Sequence, residues 1–191
     1  MENCEGDMVK GFKRENQLLS LCGLNCGLCP MLLGNYCGGC GNGNQSCKLA
    51  RCSMEQKNIE YCFQCRDYPC GKYEHFDDFD SFITHQSRRT DFEKARQFGI
   101  EAYNAEQTEK VRILNTFLNE YNDGRKKNFF CVAVNLLELQ ELQKVLEQIK
   151  NKSGIEMLPP KEKSAFVAEL LQNVATKNKI SFKLNKKKES V

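Results

Sequence analysis

The order of polar and apolar positions divides this chain into a first part without periodicity and a second with a helical repeat. Residues 1 to 20 mix acids, bases and apolar side chains with no sustained period, and predict a flexible arm with at most a short helix around Phe12 to Leu19. From Cys22 to Cys70 the apolar residues other than cysteine are few and scattered. From Glu74 onward helix dominates. Thr90-Asp91-Phe92-Glu93 matches a capping box, with Thr90 as N-cap and Gly99 as the stop. Asn104 is a second candidate cap, followed by a stripe of Val111, Leu114, Leu118 and Tyr121 that ends at Asn122-Asp123-Gly124. The apolar run Phe129 to Val134 suits a buried strand or a buried helix. The three- and four-residue steps of Leu136, Leu139, Leu142, Val145, Leu146 and Ile149 favour helix, with a break near residues 135 to 138. Pro159 and Pro160 open a last amphipathic helix with Phe166, Val167, Leu170, Leu171 and Val174 on one face. Residues 180 to 184 alternate like a short strand, and Lys186, Lys187 and Lys188 form a solvated basic tail.

Cysteine changes the picture of the aperiodic part. Ten of the twelve cysteines lie within 49 residues: Cys22, Cys26, Cys29, Cys37, Cys40, Cys47, Cys52, Cys62, Cys65 and Cys70. Three C-x-x-C pairs (Cys26/Cys29, Cys37/Cys40 and Cys62/Cys65) have the spacing by which two thiolates turn onto one metal ion across a tight knuckle. Seven of the thirteen glycines fall between Gly23 and Gly43, where such knuckles need close backbone approach. A stretch this poor in apolar side chains calls for disulfides or metal to fold. Met1 to Ser20 contains no signal-peptide core, and no segment approaches the ~18 apolar residues of a membrane span. The expected compartment is a reducing cytoplasm, where dense cysteine argues for metal thiolates.

All ten clustered cysteines are candidate ligands, and several pairings survive. Cys37 and Cys40 with Cys62 and Cys65 approach zinc-ribbon spacing, whereas Cys37 and Cys40 with Cys47 and Cys52 close a more local site. Cys22, Cys26 and Cys29 then need Cys70 or another late cysteine, and a polynuclear site with bridging thiolates is a further arrangement. Zinc is the expected metal, because tetrahedral thiolate sets built from C-x-x-C pairs suit it. An iron–sulfur cluster is the alternative. Cys22, Cys26 and Cys29 share the spacing of radical SAM enzymes, yet Leu28 stands where those enzymes carry an aromatic residue, and no strand–helix alternation follows. Cys4 stands apart as a bystander, and Cys131 reads as a small core residue.

Little else carries chemistry. His75, five residues after Cys70, is a candidate to complete a mixed site or an exposed helix-start residue, and His85 an anion contact or a solvent-facing side chain. No catalytic constellation, phosphate-binding glycine loop or thioredoxin-like context accompanies the thiols, so a non-enzymatic protein is expected. Its partner is expected to be another protein, without a membrane. The formal charge of +3 is uninformative, because two four-thiolate zinc sites at −2 each would move it to −1. Arg125-Lys126-Lys127 and the terminal lysines give only weak grounds for nucleic-acid binding.

Cys22-Gly23-Leu24-x-Cys26-Gly27-x-Cys29-Pro30, Cys37-x-Gly39-Cys40 and Cys62-x-x-Cys65-x-x-Tyr68-Pro69-Cys70 together resemble a bacterial and archaeal family of small cysteine-rich proteins classed as a domain of unknown function. Cys47 and Cys52 fall where that family tends to place cysteines. The resemblance covers residues 20 to 76 and, more loosely, the helices to about 150. It implies metal binding and names no substrate or reaction. The expected fold is mainly α: a metal-stapled, zinc-knuckle or ribbon-like module at 21–76 packed against a helical bundle. The expected boundaries are an arm at 1–20, a helical region at 77–177, and a short strand with its basic tail at 178–191.

Overall fold

The computed structural model describes residues 11–42 and 46–187. Cys4, Gly43, Asn44 and Lys188 lie outside these described residues. Seven α-helices and four 3₁₀ turns make up the regular structure, with no strand among the described residues. The mainly α expectation holds at that level.

The chain divides into two compact units, the first at 1–107 with 184–191 and the second at 108–183. The expected division after residue 76 is therefore displaced. The reason is that Phe92, Ala95 and Tyr103 are buried with Leu19, Leu21, Leu49, Tyr61 and Tyr73 in one core, so the helices that carry them belong with the cysteine-rich segment.

In the first unit, α1 (Pro30–Leu33) begins at a proline, which fixes φ for the first turn and lacks an N–H that would go unpaired there. Helix α2 (Lys48–Glu55) starts at Cys47, whose sulfur accepts the Ala50 N–H and caps the helix. Helix α3 (Arg88–Phe98) begins two residues before the expected Thr90. Buried Arg88 anchors its first turn, with Nε and Nη2 on the two Asp77 carboxylate oxygens at 2.6 and 2.5 Å. Gly99, at φ 89°, ends α3 as expected.

The expected arm is corrected. Phe12 is buried and Leu19 fully so, and they complete the core that the cysteine segment lacks. No helix forms around Phe12 to Leu19, because side chains hold this segment from outside. Gln17 Oε1 accepts the Cys40 N–H at 2.8 Å, and Arg14 Nη2 donates to Leu19 O at 2.7 Å.

Helix α4 (Ile100–Glu120) starts directly after Gly99, so Asn104 is helix interior and not a cap. The division between the units falls inside it. In the second unit, the buried side chains of α4 are Lys110, Ile113, Leu114 and Phe117, with Tyr121 buried just past its end. The expected stripe is thus rotated, with Val111 and Leu118 at its margins. Phe129 to Val134 resolves as helix within α5 (Lys127–Leu136), and α6 (Leu139–Lys150) follows after a break at residues 137–138. Helix α7 (Pro160–Lys177) buries Ser164, Val167, Ala168, Leu171 and Ala175, leaving Phe166, Leu170 and Val174 at the edges. Cys131 is a buried core residue. Residues 180–184 form no strand. No strand neighbours the chain there among the described residues, and Asn185 is held instead by Asp80, whose N–H donates to Asn185 O at 2.7 Å and whose side-chain Oδ2 accepts the Asn185 N–H at 2.6 Å.

Candidate metal centre

The centre of the first unit is a tight loop from Ser20 to Leu24. Ser20 N–H donates to Leu24 O at 2.8 Å, and Leu24 N–H returns to Ser20 Oγ at 2.9 Å. Gly23 sits there at φ 95°, and a Cβ on it would stand 3.0 Å from Arg88 Cγ and from the Phe92 ring, so only glycine fits. The loop is anchored from below by a buried polar chain. Tyr103 Oη donates to Asn25 Oδ1 at 2.9 Å, and Asn25 Nδ2 donates to Asp91 Oδ2 at 2.9 Å. Burial, with the Asp91 charge beside it, pushes the Tyr103 phenol well above its ordinary pKa. One asparagine between two cysteines thereby ties the loop to α3 and α4. Sequence reasoning missed this role, since nothing in a Gly/Asn-rich stretch distinguishes Asn25 from its neighbours.

Thiols gather around this loop. Ser20 Oγ lies 3.1 Å from Cys22 Sγ, and the same hydroxyl bonds to the Cys26 thiol. The Leu24 N–H lowers the cost of ionising Cys22, and the Leu21 N–H that of Cys40. Leu21 O accepts the Cys62 N–H at 2.9 Å. Cys37 Sγ accepts the Gly39 N–H at 3.4 Å, and Cys47 Sγ the Ala50 N–H at 3.4 Å. Two of the C-x-x-C pairs close as 3₁₀ turns, with Cys29 N–H on Cys26 O and Cys65 N–H on Cys62 O, both at 3.0 Å. None of the cysteines among the described residues forms a disulfide.

Burial is uneven across the ten thiols and decides their chemistry. It pushes the Cys22 thiol up, and the Cys26 thiol well up, from their ordinary value. It carries Cys40 and Cys62 up to about 12. Neighbouring thiols add to this. A charge on Cys47 works against Cys22 and Cys40, a charge on Cys22 works against Cys26, Cys40 and Cys62, and charges on Cys52 and Cys70 work against Cys62. The Tyr73 hydroxyl has no oxygen or nitrogen partner and faces the Cys62 thiol. Among the described residues, no three His, Cys, Asp or Glu side chains already stand arranged to hold a metal ion. Charge couples Cys22 to Cys26, Cys40, Cys47 and Cys62, Cys62 to Cys52 and Cys70, and Cys26 to Cys29, without the structure setting any of these groups in a metal-holding arrangement.

Two arginines are buried here. Arg14 packs over the Tyr61 ring, contacts Glu60 at 3.2 Å and donates to the Glu60 carbonyl. Arg88 lies over the Tyr73 and Phe76 rings, 4.7 and 5.1 Å from their centroids, with Nη1 3.4 Å from Cys22 O and from the Tyr68 hydroxyl. Arg14 lowers the cost of ionising Cys40, and Arg88 that of Cys22.

The histidines stand apart from the thiols. His75 is 77% exposed and pairs with Asp78 at 2.8 Å. His85 neither faces water nor awaits an anion. It is buried, with Nδ1 3.0 Å from Phe76 O and Nε2 3.2 Å from Ser81 Oγ. A cleft of about 540 Å³ opens beside Cys70, between Tyr68, Arg88, Phe92 and Arg96. Its lining carries Glu74 and Glu93 together with Arg88, Arg89 and Arg96.

Comparison with families of known proteins, with curated proteins and with solved structures finds no match. Function therefore rests on the geometry. No helix of the described residues is long and apolar enough to cross a membrane.

Proposed function

We propose that the first unit is a metal-binding module, with zinc held by cysteine thiolates, and that the protein is a non-enzymatic binding or adaptor protein. One observation carries this reading. Cys62 is buried and Cys22, Cys26 and Cys40 half-buried, their ionised forms repel one another, and nearby the Gly39 and Ala50 N–H groups already point at the sulfurs of Cys37 and Cys47. Burial alone disfavours a thiolate there. A divalent cation reverses that balance, because a coordinating thiol is deprotonated outright and the N–H groups then stabilise charged sulfur. Zinc supplies that charge without redox chemistry, and a four-thiolate set is its usual structural site. Binding on this reading draws the thiols together by side-chain rotation about a loop that the Asn25 network keeps fixed.

The test is metal content and visible absorption on the full chain purified without air, with thiols counted before and after chelation. Bound zinc, no visible band, and thiols released only by chelator support the reading. Brown protein with iron and acid-labile sulfide replaces it with an iron–sulfur protein. Reactivity of all ten clustered thiols without chelator, and no bound metal, end both.

A further inference from the structure

We propose that the first unit docks an extended, acidic segment of a partner protein in a groove that passes over Gly71 between Lys48 and α3. This rests on the adaptor part of the reading above and names the chemistry of the partner. It does not depend on which cysteines hold metal.

Two clefts build the groove. The cleft of about 540 Å³ lies between residues 68–74 and α3, and a second of about 440 Å³ is lined by Lys48, Lys72 and His75. Cys70, Gly71 and Glu74 line both, so the two meet there. Gly71 keeps the junction open. It begins a 3₁₀ turn outside the left-handed region, and a Cβ on it would meet nothing within 4 Å. The fold therefore has no need of glycine at this position, whereas a chain crossing from one cleft to the other does.

Charge selects the occupant. The lining sets the five cations Lys48, Lys72, Arg88, Arg89 and Arg96 against two carboxylates, Glu74 and Glu93. Asp77 binds Arg88 through both carboxylate oxygens and takes only Nε of Arg89, at 3.0 Å. Lys48, Lys72 and Arg96 make no ion pair among the described residues. Arg89, Glu93 and Arg96 follow one another at four- and three-residue steps on one face of α3, which sets Arg89 and Arg96 about 10 Å apart along its axis. An extended chain advances about 10 Å in three residues, so carboxylates three positions apart match the two arginines. Tyr68 and exposed Pro69 in the same cleft give an apolar wall to the residues between. Glu74 at the junction disfavours nucleic acid, whose phosphates recur at every nucleotide, whereas a peptide can set an uncharged residue there.

The experiment is fluorescence anisotropy on the full chain with a short labelled peptide carrying glutamate at every third position and serine and leucine between. A peptide with lysine in place of glutamate and a single-stranded oligothymidylate serve as comparison probes. Binding of the acidic peptide alone, weakened by salt, is expected. Arg96→Glu should weaken it about tenfold by turning an attraction into a like-charge contact. Gly71→Leu should abolish it by filling the junction, and Lys177→Glu, at an exposed position of α7, should leave it unchanged. If Gly71→Leu disturbs the amide spectrum of the fold, Arg96→Glu decides. No binding, equal binding of the lysine peptide, preference for the oligothymidylate, or binding indifferent to Arg96→Glu each overturns the proposal. All four leave the zinc reading to the metal analysis, and a chain that binds the acidic peptide but no metal ends the zinc reading alone.

Discussion

The two units fill their interiors differently. In the second, buried positions are occupied largely by aliphatic and aromatic side chains: Ile113, Leu114, Phe117, Phe130, Val134, Leu142, Val145, Ile149, Val167 and Leu171. Helices α5 to α7 cover one another with these faces, and hydrophobic burial accounts for their packing. In the first unit, buried Ser20, Asn25, Ser53, Thr84, His85, Arg88 and Asp91 lie among the apolar residues, and the elements before α3 span at most eight residues. Its interior is held by hydrogen-bonded polar groups, ring contacts and thiols. A helix with a continuous apolar face needs no staple, whereas on the proposed metal-binding reading a loop folded around sulfur depends on what the sulfur binds.

That contrast can be broken experimentally, and the largest effect concerns metal. Chelation should lower the opening free energy of amides in α2 and in the Cys62–Gln64 turn by an amount on the order of 10 kcal/mol, the scale of structural zinc binding. Amides of α7 should keep their protection, as read by native-state hydrogen exchange. Equal loss in both would mean that the units do not differ in this way. Core truncations come next. Phe92→Ala and Phe117→Ala, both at buried rings, should each destabilise by about 3–5 kcal/mol, the first reported by α3 amides and the second by α7 amides. If Phe92→Ala leaves α3 protection unchanged, the apolar core of the first unit is dispensable.

Gly23→Ala should have a smaller effect, about 2 kcal/mol, confined to the first unit, because it combines a left-handed φ with a close approach to Arg88 and Phe92. Measured denaturation midpoints unchanged by this substitution would refute the tight-loop account. The smallest effect concerns acid. Burial raises the Asp77 carboxyl, but its bonds with Arg88 and Arg89 hold it below the ordinary 3.8. A depressed folded pKa contributes stability that is present above about pH 4 and lost as pH falls through the folded value. With Asp77 only partly buried, Asp77→Asn should remove under about 1 kcal/mol at pH 7 and flatten the acid limb below pH 4. An unchanged acid limb would assign the loss to other groups.

Period was legible in the sequence where period decides structure. The break between α5 and α6, the start at Pro160 and the stop at Gly99 follow from local chemistry, and they fall where expected. Rotation of a helical face was less legible. Val111 and Ile113 are equally apolar, and only packing chooses Ile113 for the interior. The boundary after residue 76 failed because Phe92, Ala95 and Tyr103 look like ordinary positions of amphipathic helices. Nothing local marks them as core for a distant loop. Phe12 and Leu19 were hidden for the same reason, since their burial depends on bonds made by Gln17 and Arg14 to residues far along the chain. The cysteine spacings located the thiol region, but spacing alone could not rank Cys22 above Cys37. What sets Cys22 apart is its place in the Ser20–Leu24 loop, with Ser20 Oγ 3.1 Å from its sulfur and the neighbouring Leu21 carbonyl accepting the Cys62 N–H.

The Tyr73 hydroxyl against the Cys62 thiol has an optical consequence. The chain has no tryptophan and six tyrosines, of which only Tyr121 belongs to the second unit. Tyr61, Tyr68 and Tyr73 crowd the thiol region, where Tyr68 and Tyr73 meet edge to face with centroids 5.2 Å apart. Ultraviolet emission from the protein is thus dominated by rings in the first unit, unmasked by indole. A thiolate quenches a neighbouring phenol differently once a metal has claimed its lone pairs. The protein therefore carries its own fluorophore at the sulfur, and on the proposed metal-binding reading a titration followed by intrinsic emission would report occupancy without a label.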